Sequence, residues 1–331
     1  MGERPLPDLL TVTIVTPSYN QGEFLEETIL SVLNQDYPRI EYLIIDGGST
    51  DGSVEIIRRY EDRLAYWVSE PDRGQSHAIN KGFQRANGEI LGWLNSDDVY
   101  CPGAVRAAVE FFEMHPDVAV MYGRADVIDS DGDILLPFAW EDFDAPACIT
   151  RARCIIPQPA AFFRRDVVQR VGLLDERLKY SLDWDYWIRV ALAGLKISGM
   201  PQILARMRLH PEAKTVRDLL DLYKEMVTWV DRFFSQALPA AIAALERQSR
   251  SRALLNLGRQ HFYAHQYTSA RRAVLRGIRH YPPNLLRERA CLLFALSMLP
   301  GPAITLALRL KRLWFGFPPA LETRERAARV A

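Results

Sequence analysis

The first hundred residues hold four short apolar runs, separated by amphipathic stretches, and each run breaks into Pro, Gly or small polar residues. Thr11–Thr16 is a β-branched run that stops at Pro17, and Glu41–Asp46 encloses Tyr42, Leu43, Ile44 and Ile45. Further runs lie at Ala65–Ser69 and Glu89–Leu94. Strands this apolar cannot show a face to water. Between them, Phe24, Leu25, Ile29, Val32 and Leu33 recur at helical spacing. Asp51–Tyr60 reads as a second helix, with Asp51 as its N-cap, and Gln75–Ala86 as a third. Helices crossing over between buried strands predict a parallel sheet covered on both faces. Right-handed crossovers then bring the carboxyl ends of the strands, and any ligand, to one edge.

After Asn95 the pattern is mixed. It predicts a helix at Ala104–Met114 and strands at Val118–Tyr122 and Ala125–Asp129. A hairpin turn at Ser130-Asp131-Gly132-Asp133 returns through Ile134–Phe138. A helix at Asp183–Ala193 ends at Gly194, and a last strand covers Ile203–Arg208. From Asp218 the signals are almost wholly helical, which places a boundary near residue 215. Charge divides at the same place. Residues 1–215 carry 22 Lys and Arg against 33 Asp and Glu, and residues 216–331 carry 19 against 8. Such a basic half could meet an anionic surface or simply be solvated.

In the tail, Leu254, Leu257, Gly258, His261, Ala270, Val274, Gly277 and Pro282 fall at the spacing of a tetratricopeptide-like hairpin, over about 250–283. Apolar helices are expected at about 290–315, interrupted by Pro300-Gly301-Pro302 and followed by Arg309, Lys311 and Arg312. These suit an interfacial seat better than a membrane span. The scattered Cys101, Cys148, Cys154 and Cys291 support neither a disulfide framework nor a zinc site. With no secretory signal in residues 1–10, a cytoplasmic location is expected.

The chemistry concentrates where strands end. Thr16-Pro17-Ser18-Tyr19-Asn20 and Asp46-Gly47-Gly48-Ser49-Thr50-Asp51 suit a nucleotide pocket. Tyr19 could stack on a base and Asp46 could accept from its N–H, although Asp-Gly pairs are also ordinary turns and caps. Asn95-Ser96-Asp97-Asp98 follows the fourth run. A phosphate-bound Mg²⁺ or Mn²⁺ takes one or two protein carboxylates and fills its shell with phosphate and water. Paired acids at helix starts are equally familiar as caps.

Together these segments resemble the inverting family 2 glycosyltransferases of GT-A fold, over residues 11 to about 215. The resemblance implies an α/β GT-A domain at 11–215 with a mostly parallel central sheet. A short tail (1–10) precedes it and a basic helical region (216–331) follows. It places Thr16, Pro17, Tyr19 and Asp46 around the base and ribose, and Asp72, Arg73 and Lys81 near the nucleotide. Asn95-x-Asp97 occupies the place of the Asp-x-Asp motif. Asp97 is then the implied metal ligand, Asn95 touches the nucleotide's sugar, and Asp98 supports either. In "YSLDWDYWIRV", Asp183, Trp187 and Arg189 match the family, and Leu182 stands where a Glu is frequent. Asp183 is implied as general base, with Asp185 an understudy. In "ARMRLHPEAKT", Arg208 and His210 match an Arg-x-His pair, for phosphate contact or a further metal ligand.

The reading is of a Mn²⁺- or Mg²⁺-dependent inverting transferase. It would move sugar from a nucleotide diphosphate donor to a carbohydrate or lipid-linked glycan acceptor, in bacterial surface polysaccharide or glycoconjugate synthesis. No nucleic-acid partner is expected, and the C-terminal region is expected to touch an anionic membrane surface. The alternatives are a sugar nucleotidyltransferase, whose basic glycine-rich phosphate loop is missing from "TPSYNQGEF", and a decayed enzyme acting as a scaffold through its tail.

Overall fold

The structure, a computed structural model, describes residues 9–284 and residue 298. The expected apolar helices and basic segment at about 290–315 therefore lie outside the described residues, Met298 apart. The chain forms two compact units. One contains the residues up to Phe143 together with Cys154–His210. The other contains Asp144–Arg153 together with the chain from Pro211. The sequence boundary near 215 falls within a few residues of this division, but nothing in the pattern sets residues 144–153 apart.

The first unit opens with β1 (Val12–Ser18), α1 (Gly22–Leu33), β2 (Ile40–Asp46) and α2 (Ser53–Arg59). β3 (Tyr66–Ser69), α3 (Gln75–Arg85) and β4 (Ile90–Trp93) complete the alternation. Then come β5 (Val99–Tyr100), α4 (Ala104–Met114), β6 (Val118–Ile128) and β7 (Ile134–Pro137). After α5 (Ala145–Arg151), which belongs to the second unit, follow β8 (Ala161–Arg164), α6 (Asp166–Val171), α7 (Leu182–Leu192) and β9 (Lys196–Arg208).

The described strands make one nine-stranded sheet in the order β3-β2-β1-β4-β8-β6-β9-β5, with β7 paired to β6. β3, β2, β1 and β4 are mutually parallel, as expected for strands joined by crossover helices. β8 enters antiparallel between β4 and β6, so the sheet is mixed beyond its parallel half. β1 runs two residues past the expected stop, through Pro17 and Ser18. Its pairing with β4 ends at Val15, so at Pro17 the strand is paired on one side only, where a missing N–H is tolerated.

β6 is one strand where the sequence suggests two. The pattern breaks at Gly123, but a Cβ there would lie 2.4 Å from Leu204 Cγ. The glycine lets β9 pack close, and the pairing register shifts beside it, as at a bulge. Across β4 and β8, Trp93 stacks on Trp187 at 5.5 Å, while Phe83 and Tyr186 meet Phe163 edge-on. This aromatic core seats α7 against β4.

In the second unit, α8 (Lys214–Arg217), α9 (Leu219–Phe233), α10 (Ala240–Ala243), α11 (Glu246–Tyr263) and α12 (Tyr267–His280) follow one another. α11 and α12 form a helical hairpin, joined through His265 at φ 58°. α5 packs on α11, where Ser249 Oγ donates to the Ile149 carbonyl at 2.8 Å. That contact explains why residues 144–153 join the helical unit. Among the described residues no helix is long and apolar enough to cross a membrane.

Candidate active site

β1 and β2 end side by side, Ser18 in register with Asp46, and the loops that follow are stitched together. Asn20 N–H donates to Ser49 Oγ at 2.8 Å, Thr50 N–H to Asn20 Oδ1 at 2.9 Å, and Gly22 N–H to Asp51 Oδ2 at 2.8 Å. Burial opposes ionisation of Asp51, but hydrogen bonds from Ser53 and the Gly22 N–H outweigh it and hold its carboxyl below the usual range. Asn20 and Ser49 have no place among the expected site residues. They bond across loops 29 residues apart, a distance that local pattern does not report.

Asp46 is fully buried. Its Oδ2 accepts from Gly48 N–H, Ser49 N–H and Ser69 Oγ at 3.0, 2.9 and 2.7 Å, and its Oδ1 from Ser49 Oγ. Four donors meet this carboxylate, three of them on Oδ2, so here Asp46 shapes the loop. Thr16 is also inside the core, with its hydroxyl 3.0 Å from Tyr42 Oη, and Pro17 is buried in β1. Tyr19 stands 62% exposed at the mouth of these loops. A Cβ on Gly47 would lie 2.7 Å from Asp72 Oδ2 and 3.3 Å from Tyr19 Cδ2, which brings those three residues together.

At the end of β4, Asp97 and Asp98 point to different environments. Asp98 is buried, with Oδ1 accepting from Arg208 N–H at 2.9 Å and Oδ2 from Asn95 Nδ2 at 3.2 Å. Burial, and then the neighbouring Asp97 charge, push its carboxyl well above the usual carboxylate range, against the pull of those hydrogen bonds. Asp97 keeps its side chain 19% exposed, and its Oδ2 lies 3.1 Å from His210 Nε2. The imidazole is packed on Phe24, with centroids 4.6 Å apart.

This pair fits a hard divalent cation. Neighbouring ligands at about 2.1 Å from an octahedral ion sit about 3.0 Å apart, close to the observed separation. Among the described residues no cluster of three or more His, Cys, Asp or Glu side chains could hold a metal. Two protein donors would therefore leave most of the shell to phosphate and water.

Arg208 is not available to a phosphate in this structure. Its side chain is 1% exposed. Nε donates to the Asp97 carbonyl, and Nη1 to the carbonyls of Asp129 and Ser130, all at 3.0 Å. Nη2 pairs with Glu27, and the guanidinium lies over Phe24. Arg208 thus pins the loop that carries Asp97. Asn95 is likewise tied within the protein, between Gln75, Gln158 and Asp98.

Arg73 and Lys81 occupy ion pairs at the surface, with Glu176 at 2.6 Å and Glu70 at 2.7 Å respectively. Such pairs are weak enough to exchange for a phosphate. Ser76 Oγ donates to the Leu178 carbonyl, and Asn80 exchanges hydrogen bonds with the backbone of Leu174. These contacts lead the chain along α3 towards its N-terminus, hence towards the carboxyl edge of the sheet. Asp183 sits in the first turn of α7, its Oδ1 accepting from Trp184 N–H at 2.8 Å. Asp185, one turn before Arg189, pairs with it at 2.7 Å, and Arg189 also donates to the carbonyls of Val171 and Leu173. Asp185 is thereby bound into packing.

The family described as glycosyl transferase family 2 matches residues 13–172. An uncharacterised glycosyltransferase of Mycobacterium tuberculosis (strain ATCC 25618 / H37Rv) is 34% identical over 189 residues, covering 55% of this chain and 69% of that protein. Staphylococcus aureus TarS 1-349, solved in complex with UDP-GlcNAc, superposes with a TM-score of 0.59 at 17% identity, covering 86% of this chain and 84% of that one. A mannosyltransferase of Pyrobaculum calidifontis in complex with GDP-Man and Mn²⁺ superposes with a TM-score of 0.60 at 18% identity, over 98% and 86% of the two chains. At those identities the two solved structures establish the fold, and the sequence matches establish the rest: this chain is a GT-A-fold member of glycosyl transferase family 2.

Proposed function

We propose that this glycosyltransferase is metal-dependent and inverting, and that it takes its sugar from a nucleotide diphosphate donor. The observation that carries the reading is the Asp97–His210 pair at the carboxyl edge of the sheet, 3.1 Å apart and held by Arg208 from behind. Tyr19, Gly47 and Asp72 line the side where a base and ribose would lie, on loops shaped by Asp46. Arg73 and Lys81 are the cations free to turn from their surface partners to a diphosphate. A bound Mn²⁺ or Mg²⁺ would neutralise charge on the departing diphosphate. Mn²⁺ is favoured over Mg²⁺ because an imidazole is a poor partner for the harder ion. The solved mannosyltransferase neighbour, described with GDP-Man and Mn²⁺, agrees.

Asp183 supplies the other half of the chemistry. Its carboxylate takes the proton of an acceptor hydroxyl, whose oxygen bonds to the anomeric carbon as the carbon–diphosphate bond breaks. The electron pair leaves with the diphosphate, and displacement from the opposite face inverts the configuration. Incubating the protein with a panel of nucleotide sugars, with and without Mn²⁺, tests the reading. Metal-dependent release of nucleoside diphosphate from at least one donor is expected, and no release from any would contradict it.

A carbohydrate acceptor, lipid-linked at an anionic membrane surface, suits the second unit. On α12, Arg272, Arg276 and Arg279 are exposed without a carboxylate partner among the described residues, and they span about 10 Å of helix. Each arginine near such a surface is worth about 1 kcal/mol. Replacing all three with Ala should weaken cosedimentation with acidic vesicles roughly tenfold or more. Unchanged cosedimentation would remove the membrane contact.

A further inference from the structure

We infer that Asn95 is a positioning residue that must be an amide, and that restoring a carboxylate at this position would harm the enzyme. The inference rests on the metal-dependent reading above and refines it. Asn95 stands where the resemblance places the first acid of an Asp-x-Asp motif, so it could be taken for a weakened metal ligand. The hydrogen bonds around it give it a different task.

The polarity of the network is set from one end. The Trp93 carbonyl can only accept, and it takes Gln158 Nε2 at 2.7 Å. Gln158 is buried, so its Oε1 is turned to Asn95 and requires a donor there. Asn95 Nδ2 supplies it at 3.0 Å. The second hydrogen of that amide goes to Asp98 Oδ2 at 3.2 Å, another acceptor. On the opposite side, Gln75 Nε2 donates to Asn95 Oδ1 at 2.7 Å. Residue 95 must therefore donate twice and accept once at fixed directions, which an amide does and a carboxylate cannot.

A carboxylate at 95 would set an oxygen where Nδ2 now lies, facing Gln158 Oε1 and Asp98 Oδ2, and would add a negative charge beside Asp97. Turning Gln158 over would only move the conflict to the Trp93 carbonyl. Asp98, held between Asn95 and the Arg208 N–H, is the residue through which this network orients the loop carrying Asp97. Asn95 thus acts on the metal ligand from behind, and Asp97 is the only acid of this segment left to the metal.

The test is a polarity swap. Asn95→Asp should lower kcat/KM at least 30-fold and weaken the apparent Mn²⁺ affinity. Adding Asp98→Asn to it restores a donor opposite the new carboxylate, since an amide at position 98 could donate to residue 95 and still accept from Arg208 N–H. The double variant should regain at least fivefold over Asn95→Asp, although Asp98→Asn alone is harmful. If Asn95→Asp does not fold, recovery of a folded, nucleotide-binding protein by the swap supports the network, and failure to recover overturns it. Asn95→Asp that binds Mn²⁺ more tightly with undiminished turnover, or a double variant no better than Asn95→Asp, also overturns it. Failure of the metal-dependent reading itself looks different: the unmodified protein would then bind nucleoside diphosphate equally with and without Mn²⁺.

Discussion

Replacing Asp97 with Ala is expected to lower sugar transfer about 10³-fold or more while leaving a folded protein. The magnitude follows from the several kcal/mol that a divalent cation contributes to a departing diphosphate, at 1.36 kcal/mol per tenfold in rate. The fold should survive because the side chain does little for it. The Asp97 carboxylate is partly exposed and meets His210, whereas the hydrogen bond to Arg208 uses the backbone carbonyl, which alanine keeps. Removing the charge also relieves the neighbouring Asp98, whose carboxyl it helps to push upward. Thermal melting within a few degrees of the unmodified protein, together with the loss of turnover, would establish the role. Retained metal-dependent transfer would place the metal elsewhere.

Asp183→Asn should lower kcat by 10²- to 10⁴-fold, the range ordinarily attributed to a general base. Asparagine is the informative choice. Its Oδ1 can still accept from Trp184 N–H at the start of α7, so that contact is kept while the proton acceptor is removed. Donor binding, measured with nucleoside diphosphate and Mn²⁺, should change less than threefold. Asp185 cannot take over, because its carboxylate is paired to Arg189, and Arg189 is anchored to two backbone carbonyls. A kcat within fivefold of the unmodified enzyme would assign proton removal to another group.

What could be read in the sequence was the part fixed by local pattern. The run Tyr42–Ile45 is too apolar for anything but a strand buried on both faces, and it ends where Asp46 turns the chain into the ligand edge. The helices between such strands followed from their spacing, and with them the parallel half of the sheet. β8 was not legible. Its four residues, Ala161–Arg164, follow a proline-rich turn and take their strand conformation from β4 and β6 on either side. β9 was legible only in its second half, because Gly199 and Pro201 interrupt the apolar pattern that its long pairing with β6 overrides.

The site shows the same division. Asp97, His210 and Asp183 were legible as candidates from motif position, and the first two lie together. The supports behind them were not found, since each depends on a partner far along the chain. Arg208 illustrates the difficulty. An arginine beside a histidine in a polar loop suggests phosphate, and only the carbonyls of Asp129 and Ser130, some 79 residues away, show that its charge is spent inside the protein. Gln158 is similar, an amide after Pro157 with no pattern of its own, yet it sets the direction of every hydrogen bond around Asn95.

The role proposed for Asp97 and His210 is to hold a divalent ion on the donor's diphosphate. Calorimetric titration of UDP and GDP into the unmodified protein and Asp97→Ala, each with and without Mn²⁺, addresses it directly. Mn²⁺ is expected to tighten binding of at least one nucleotide tenfold or more, and Asp97→Ala to abolish this gain while keeping the weak metal-free binding. Equal affinity with and without Mn²⁺, or a full Mn²⁺ effect in Asp97→Ala, would contradict it.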